Sequence, residues 1–146
     1  MLAIKNGKLI LEDGIKEGKA VLFTTKIEGI VDEKDIPDGT DVIDANGGYI
    51  CPGLIELHIH GYLGKDVCDA SEDSMRIISK GLLENGVTGY LPTTMTVDMK
   101  VIRKALEVCR NLKEESKNWN GSAILGCHAE GPFISESKKG AQDPKY

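Results

Sequence analysis

The sequence has no basic excess and no long apolar run, and each absence argues against a class of partner. Its 146 residues include 23 acidic and 18 basic side chains, giving a net charge of −5, which does not suit binding to nucleic acid or anionic lipid. No stretch approaches the roughly 18 apolar residues of a membrane-spanning helix, and the first residues carry no secretory signal. We therefore expect a cytoplasmic protein without nucleic-acid or membrane partners.

Cysteine is scarce as well, and its spacing excludes two kinds of small scaffold. No two cysteines form a Cys-x-x-Cys pair, so neither a disulfide framework nor a zinc ribbon is indicated. Free cysteine packs like a small hydrophobic residue. We interpret all four as buried or incidental thiols: Cys51, Cys68, Cys109 and Cys127.

The first 50 residues are typical of short β-strands. Asn6-Gly7 lies between two short apolar segments, a pattern that predicts a two-residue hairpin with positive φ at both turn residues. Glycine, proline and asparagine then separate further apolar segments around residues 20–25, 26–31, 42–44 and 49–51. Residues 1–50 are therefore predicted to form a small sheet domain.

From residue 51 onward the pattern changes to alternating strands and helices. The run from Leu54 to His60 predicts a strand buried on both faces. Ser71 can cap a helix that Gly86 ends, with apolar positions Met75, Ile78 and Leu82 at helical spacing. A strand over 87–94, a helix over 98–117 and a strand over 123–130 follow. Parallel pairing of these strands would gather functional residues at their C-terminal ends.

Polar side chains at two of these strand ends indicate a metal site. His58 and His60 share one face of their strand, and two imidazoles at this spacing suit zinc or iron. Glu130 precedes the break Gly131-Pro132 and could add an oxygen ligand. The alternatives are a hydrogen-bonded pair of core histidines, and a Glu130 that caps a loop or pairs with Lys138 or Lys139. His128 lies one layer deeper, which favours a structural hydrogen bond over ligation.

Three blocks of sequence together indicate a known family. They are Pro-Gly-Leu-Ile-Glu-Leu-His-Ile-His-Gly at 52–61, Gly-Tyr-Leu-Pro-Thr-Thr at 89–94, and Leu-Gly-Cys-His-Ala-Glu-Gly-Pro-Phe-Ile at 125–134 with Lys-Lys-Gly-Ala at 138–141. These blocks resemble the N-acetylglucosamine-6-phosphate deacetylases of the amidohydrolase superfamily. The first block marks the wider superfamily. Glu-Gly-Pro-Phe followed by Lys-Lys-Gly-Ala is more specific to the deacetylases.

The resemblance implies a fold and a chemistry. The fold would be α/β, the first three βα units of a (β/α)8 TIM barrel over residues 51–146, preceded over 1–50 by part of a small β-sandwich. Glu130, His58 and His60 would bind a divalent metal, zinc or iron or another divalent ion. The reaction would be the hydrolysis of N-acetylglucosamine 6-phosphate to glucosamine 6-phosphate and acetate, a step of amino-sugar metabolism.

The resemblance also implies residues that this sequence lacks or replaces. In the family an aspartate at a later strand end acts as general base and two later histidines complete the metal shell, all expected beyond residue 146. Where the family often has a sugar-contacting histidine, this chain has Gln142, which can hydrogen-bond a hydroxyl but cannot carry charge. Gln142, Gly140 and Ala141 are the predicted substrate contacts.

The chain is too short for a closed barrel, which takes about 250 residues. Open parallel strands expose unpaired edges. We therefore expect either a truncated protein, whose missing C-terminal part would cover these edges, or a naturally short protein that associates with further copies. By itself the chain is expected to be inactive. Two other interpretations stay open: a non-catalytic oligomerisation or binding module, and another amidohydrolase of the hydantoinase or deaminase kind.

Overall fold

The computed structural model describes the whole chain, Met1–Tyr146, as two compact units of a mixed α/β protein. The first unit is Met1–Pro52 and the second is Gly53–Tyr146. Neither α-helix combines the length and the apolar character that crossing a bilayer requires. Every residue that the sequence singled out for chemistry lies in the second unit.

The first unit consists of two small sheets. Its seven strands are β1 (Leu2–Lys5), β2 (Lys8–Leu11), β3 (Gly14–Lys16), β4 (Lys19–Phe23), β5 (Ile27–Asp32), β6 (Asp41–Asp44) and β7 (Tyr49–Ile50). One sheet has the order β5-β4-β1-β6 and the other has the order β3-β2-β7. Each sheet contains one parallel pair, β1 with β6 and β2 with β7.

The predicted hairpin at Asn6-Gly7 is wrong, because the strands on either side belong to different sheets. β1 pairs with β4 and β6, whereas β2 pairs with β3 and β7. Asn6 has φ 54°, but Gly7 is not among the residues with positive φ. The glycine is required for space instead: a Cβ there would lie 2.7 Å from Cδ1 of Ile50 and 2.8 Å from Cβ of Ala45.

The second unit contains the predicted alternation of parallel strands and helices. Its elements are β8 (Leu54–Ile59), β9 (Gly61–Tyr62), β10 (Lys65–Asp66), α1 (Glu72–Glu84), β11 (Val87–Pro92), α2 (Met99–Ser116) and β12 (Ala123–Ile124). The main sheet has the order β12-β11-β8, with both pairings parallel. Strands β9 and β10 form a small antiparallel ribbon.

The two helices pack their apolar faces on the sheet as their periodicity predicts. Ser71 caps α1 by accepting from the N–H of Ser74, and Gly86 follows the helix with φ 80°. Tyr90 on β11 is fully buried, and its hydroxyl donates to the carbonyl of Met75 at 3.2 Å. The core consists of residues from both helices, the strands and the short 3-10 helix Val67–Asp69: Val67, Met75, Ile78, Leu82, Val87, Tyr90, Ala105, Val108, Cys109, Leu112 and Ile124.

Two strand predictions need correction. β8 was predicted to be buried on both faces, yet Leu54, Ile55 and Leu57 are 51–61% exposed. The reason is its edge position, since β11 is its only neighbour in the sheet. The third strand was predicted over 123–130, but β12 ends at Ile124, and only an isolated bridge between Thr93 and His128 continues the pairing.

Candidate metal centre

The two histidines at the end of β8 turn their rings toward each other. His58 lies within the strand and His60 just after it, and their Nε2 atoms are 3.2 Å apart. Nδ1 of His60 lies 3.2 Å from the backbone carbonyl of Thr93. A carbonyl can only accept, so this contact places the proton on Nδ1 and leaves Nε2 with a free lone pair. An imidazole that binds a metal through Nε2 while its Nδ1–H donates to a backbone carbonyl has this tautomer.

Glu130 brings a carboxylate to the same point from the segment after β12. Its Oε2 lies 2.9 Å from Nε2 of His58 and 3.2 Å from Nε2 of His60. Neither nitrogen approaches in a direction that makes a hydrogen bond, so this buried oxygen has no donor. The alternative pairing of Glu130 with Lys138 or Lys139 is absent from the ion pairs of the structure.

The three atoms have the spacing that a shared cation requires. Ligand atoms held about 2.0–2.2 Å from one zinc ion lie roughly 2.8–3.6 Å apart at angles between octahedral and tetrahedral. The three observed separations are 2.9, 3.2 and 3.2 Å. Two imidazole nitrogens and one carboxylate oxygen also form a donor set that suits zinc or iron. His58, His60 and Glu130 can therefore hold a metal ion.

The other carboxylate oxygen of Glu130 is held by the protein. Nε2 of Gln142 donates to Oε1 of Glu130 at 3.0 Å, and the carboxamide oxygen of Gln142 accepts from the N–H of Thr96 at 2.8 Å. No sequence pattern indicated this contact, which joins residues twelve positions apart through an irregular loop. The sequence showed only that a polar residue, Gln142, stands at this position. In the structure that residue is buried.

Threonines after β11 support the site, and the sequence did not assign them a role. Oγ1 of Thr93 accepts from the N–H of Ile59, and Oγ1 of Thr94 donates to the backbone carbonyl of Glu130. Both threonines are fully buried. A Thr-Thr pair at the end of a central strand, next to two strand ends with ionisable residues, was the only available signal.

His128 contacts a backbone carbonyl, in line with the structural hydrogen-bonding role that the sequence favoured. Its Nδ1 lies 3.3 Å from the backbone carbonyl of Leu57, and its ring meets that of His58 edge to face with centroids 4.8 Å apart. It does not join His58, His60 and Glu130 in the group that could hold a metal.

A cleft of about 350 Å³ lies beside Gln142 and is lined by Thr96, Gly131, Lys139 and Tyr146 among others. None of the three metal-ligand candidates lines it. Of the three predicted substrate contacts, Gln142 is buried against Glu130, while Gly140 and Ala141 are exposed.

None of the cysteines belongs to the group of side chains that could hold a metal ion. Cys109 is buried, Cys68 and Cys127 are partly buried, and Cys51 is exposed. A hydrogen bond with Cys127 and burial both raise the pKa of the Cys109 thiol, and burial raises that of Cys68. A raised pKa lowers the fraction of reactive thiolate.

Known proteins that share this sequence over nearly its whole length are deacetylases. The N-acetylglucosamine-6-phosphate deacetylase of Danio rerio is 35% identical over 98% of the chain, and that of Bacillus subtilis is 36% identical over 98%. The crystal structure of the Pasteurella multocida enzyme matches 99% of the chain with a TM-score of 0.91 and 31% identity. The chain is related to these deacetylases.

The chain corresponds to only part of the length of these relatives. The chain spans 34% of the length of each of these two curated relatives and 38% of the Pasteurella multocida chain. No family model matches the sequence. The resemblance that the three sequence blocks indicated is confirmed. The matched part is about a third of the length of each related protein.

Proposed function

We propose that His58, His60 and Glu130 bind a divalent ion, zinc or iron, as part of the metal centre of an amide hydrolase. The hydrolase would convert N-acetylglucosamine 6-phosphate to glucosamine 6-phosphate and acetate. The observation that carries the proposal is the convergence of two imidazole nitrogens and one donor-free carboxylate oxygen within 3.2 Å of one another. The relationship to named deacetylases supports the choice of reaction and substrate.

The chemistry divides between the ion and the residues that hold it. A divalent ion supplies a lowered pKa for water and polarises an amide carbonyl. The chain supplies the position: the carbonyl of Thr93 holds the proton of His60 on Nδ1, so that Nε2 can donate its lone pair. Glu130 contributes the negative charge that two neutral imidazoles lack.

The remaining parts of the machinery are proposed to lie beyond residue 146. As the resemblance to the deacetylases implies, two further imidazole ligands and a general-base aspartate would come from later strand ends. We propose that residues 51–146 belong to a (β/α)8 barrel and residues 1–50 to a small β-sandwich. Gln142, Gly140 and Ala141 are proposed substrate contacts, and a cytoplasmic location is the proposed compartment.

The exposed edge of β8 supports association as a further part of the proposal. Leu54, Ile55 and Leu57 present apolar surface beside unpaired backbone groups, a combination that favours pairing with another chain or segment. Association with further copies, or with later residues of a longer chain, would cover it. If the three ligand candidates bound no metal, the same surface would favour the alternative of a non-catalytic oligomerisation module.

Metal binding by the tag-free protein tests the ligand assignment. We expect a single Co²⁺ per chain by titration, with the visible absorption of nitrogen- and oxygen-bound cobalt. His58→Ala and Glu130→Gln should each weaken Co²⁺ binding by more than about 100-fold, because loss of an outer-shell partner alone costs about 10–100-fold. His128→Ala is the matched control: it removes a neighbouring imidazole and should change the affinity by less than about threefold.

Two outcomes would contradict the proposal. Equal Co²⁺ affinity in wild type and Glu130→Gln would remove the carboxylate from the site, and equal weakening by His128→Ala would show that any nearby imidazole serves.

The reaction is tested separately by acetate release from N-acetylglucosamine 6-phosphate. The 146-residue chain is expected to show no turnover, and turnover by a pure sample of verified intact mass would refute a general base beyond residue 146.

A further inference from the structure

Gln142 is bound at both ends of its carboxamide. The N–H of Thr96 donates to its oxygen at 2.8 Å, and its Nε2 donates to Oε1 of Glu130 at 3.0 Å. The residue is 7% exposed, so water does not compete freely for either contact. A backbone N–H is an obligatory donor, which fixes the carboxamide oxygen toward Thr96 and leaves the NH₂ group facing the carboxylate.

This contact leaves the two oxygens of Glu130 in different positions. Oε1 is held by Gln142, while Oε2 has no donor and lies 2.9 Å from His58 and 3.2 Å from His60. A free glutamate rotates easily about its last torsion, which is broad and roughly two-fold. Holding one oxygen removes that freedom and keeps the other directed at the imidazoles.

The backbone of Glu130 is fixed to the same segment that orients Gln142. Oγ1 of Thr94 donates to the carbonyl of Glu130 at 3.0 Å. Gly131 follows with φ 109°, and a Cβ on it would lie 2.4 Å from the nitrogen of Thr96. The segment from Thr94 to Thr96 therefore serves as a common frame for the backbone of Glu130 and, through Gln142, for its side chain.

We propose that Gln142 is a positioning residue that holds Glu130 in its metal-binding rotamer. The inference rests on the proposed function, since it requires Glu130 to be a ligand. Outer-shell hydrogen bonds of this kind contribute about 10–100-fold to metal affinity. Gln142 thus acts on the metal through Glu130, whether or not its carboxamide also meets a substrate.

Cobalt affinity separates this role from a general effect on folding. Gln142→Met keeps the length of the side chain and removes both the donor to Glu130 and the acceptor for the N–H of Thr96. It should weaken Co²⁺ binding by about 10–100-fold. Asn111→Met is the matched control, because it removes an exposed amide on α2, and its Co²⁺ affinity should stay within about twofold of wild type. Circular dichroism and urea unfolding establish that each variant is folded.

A second readout needs no metal. Gln142 is the only glutamine in the chain, so selective ¹⁵N-glutamine labelling gives one side-chain NH₂ pair. We expect slow exchange of the NH₂ proton bound to Glu130 in metal-free wild type, and fast exchange in Glu130→Ala.

The outcomes distinguish the inference from the function on which it rests. Wild type that binds no Co²⁺ would overturn the proposed function and the positioning role together. Wild type that binds Co²⁺ with the same affinity as Gln142→Met would overturn the positioning role alone. Rapid NH₂ exchange in folded wild type would also overturn it, because the carboxamide would then not be held.

Discussion

Strands β8 and β11 are neighbours with similarly apolar sequences, yet they have opposite surroundings. Tyr90 of β11 is fully buried between its two neighbouring strands and under α1, whereas Leu57 of β8 is 61% exposed. His58 lies on the exposed strand and His60 directly follows it, while the buried strand is followed by the threonines that support both histidines. An apolar sequence therefore does not by itself determine how far a strand is buried. The number of strands that pair with it also determines its exposure.

Truncating one side chain on each strand should give the largest difference. Tyr90→Ala is expected to lower the free energy of unfolding by about 3–5 kcal/mol, because it leaves a cavity in the core. Leu57→Ala should lower it by less than about 1 kcal/mol, as exposed substitutions do. Urea unfolding followed by the fluorescence of Trp119, the single tryptophan, measures both. Similar losses from the two variants would show that β8 is covered in solution.

The contact between the two strands should have an intermediate effect. Thr93→Val removes the hydroxyl that accepts from the N–H of Ile59 at 3.1 Å, and leaving that partly buried donor without a partner should cost about 1–3 kcal/mol. Thr88→Val is the matched control at the other end of β11, where the hydroxyl is exposed and 3.5 Å from its acceptor. It should change the unfolding free energy by less than about 0.5 kcal/mol. Equal effects would mean that the Thr93 hydroxyl does not stabilise the end of β8.

A charge on the outer strand should have a small effect on stability and a visible effect on association. Leu57→Lys is expected to change the free energy of unfolding by less than about 1 kcal/mol while reducing self-association, since edge lysines oppose strand pairing. Met99→Lys, which places the same charge on an exposed apolar position of α2, should leave association unchanged. Sedimentation velocity across a concentration series measures both, and monomeric wild type throughout would refute association through this edge.

Local patterns were sufficient to predict the elements that depend on near neighbours in sequence. The cap at Ser71, the left-handed Gly86 and the shared face of His58 and His60 all follow from spacings of a few residues. Strand pairing in the first unit did not follow, because Asn6-Gly7 satisfies the pattern of a hairpin while Gly7 is needed for close approach to Ile50. The choice of sheet partner depends on distant residues that a local pattern does not contain.

The three ligand candidates of the metal site could be predicted from the sequence, whereas the contacts that support them could not. Parallel strand ends meet at one edge of a sheet, so the meeting of Glu130 with His58 and His60 could be expected. The contact of Gln142 with Glu130 and Thr96 depends on the path of an irregular loop, which no periodicity describes. The contact of Gln142 with substrate stays a prediction.

Anomalous diffraction at the zinc edge, from crystals of the protein grown with zinc, tests whether His58, His60 and Glu130 share one metal ion. We expect one peak within about 2.0–2.2 Å of Nε2 of His58, Nε2 of His60 and Oε2 of Glu130, with Oε1 of Glu130 still bound to Gln142. Zinc found only elsewhere, or a Glu130 side chain directed away from both imidazoles, would contradict it.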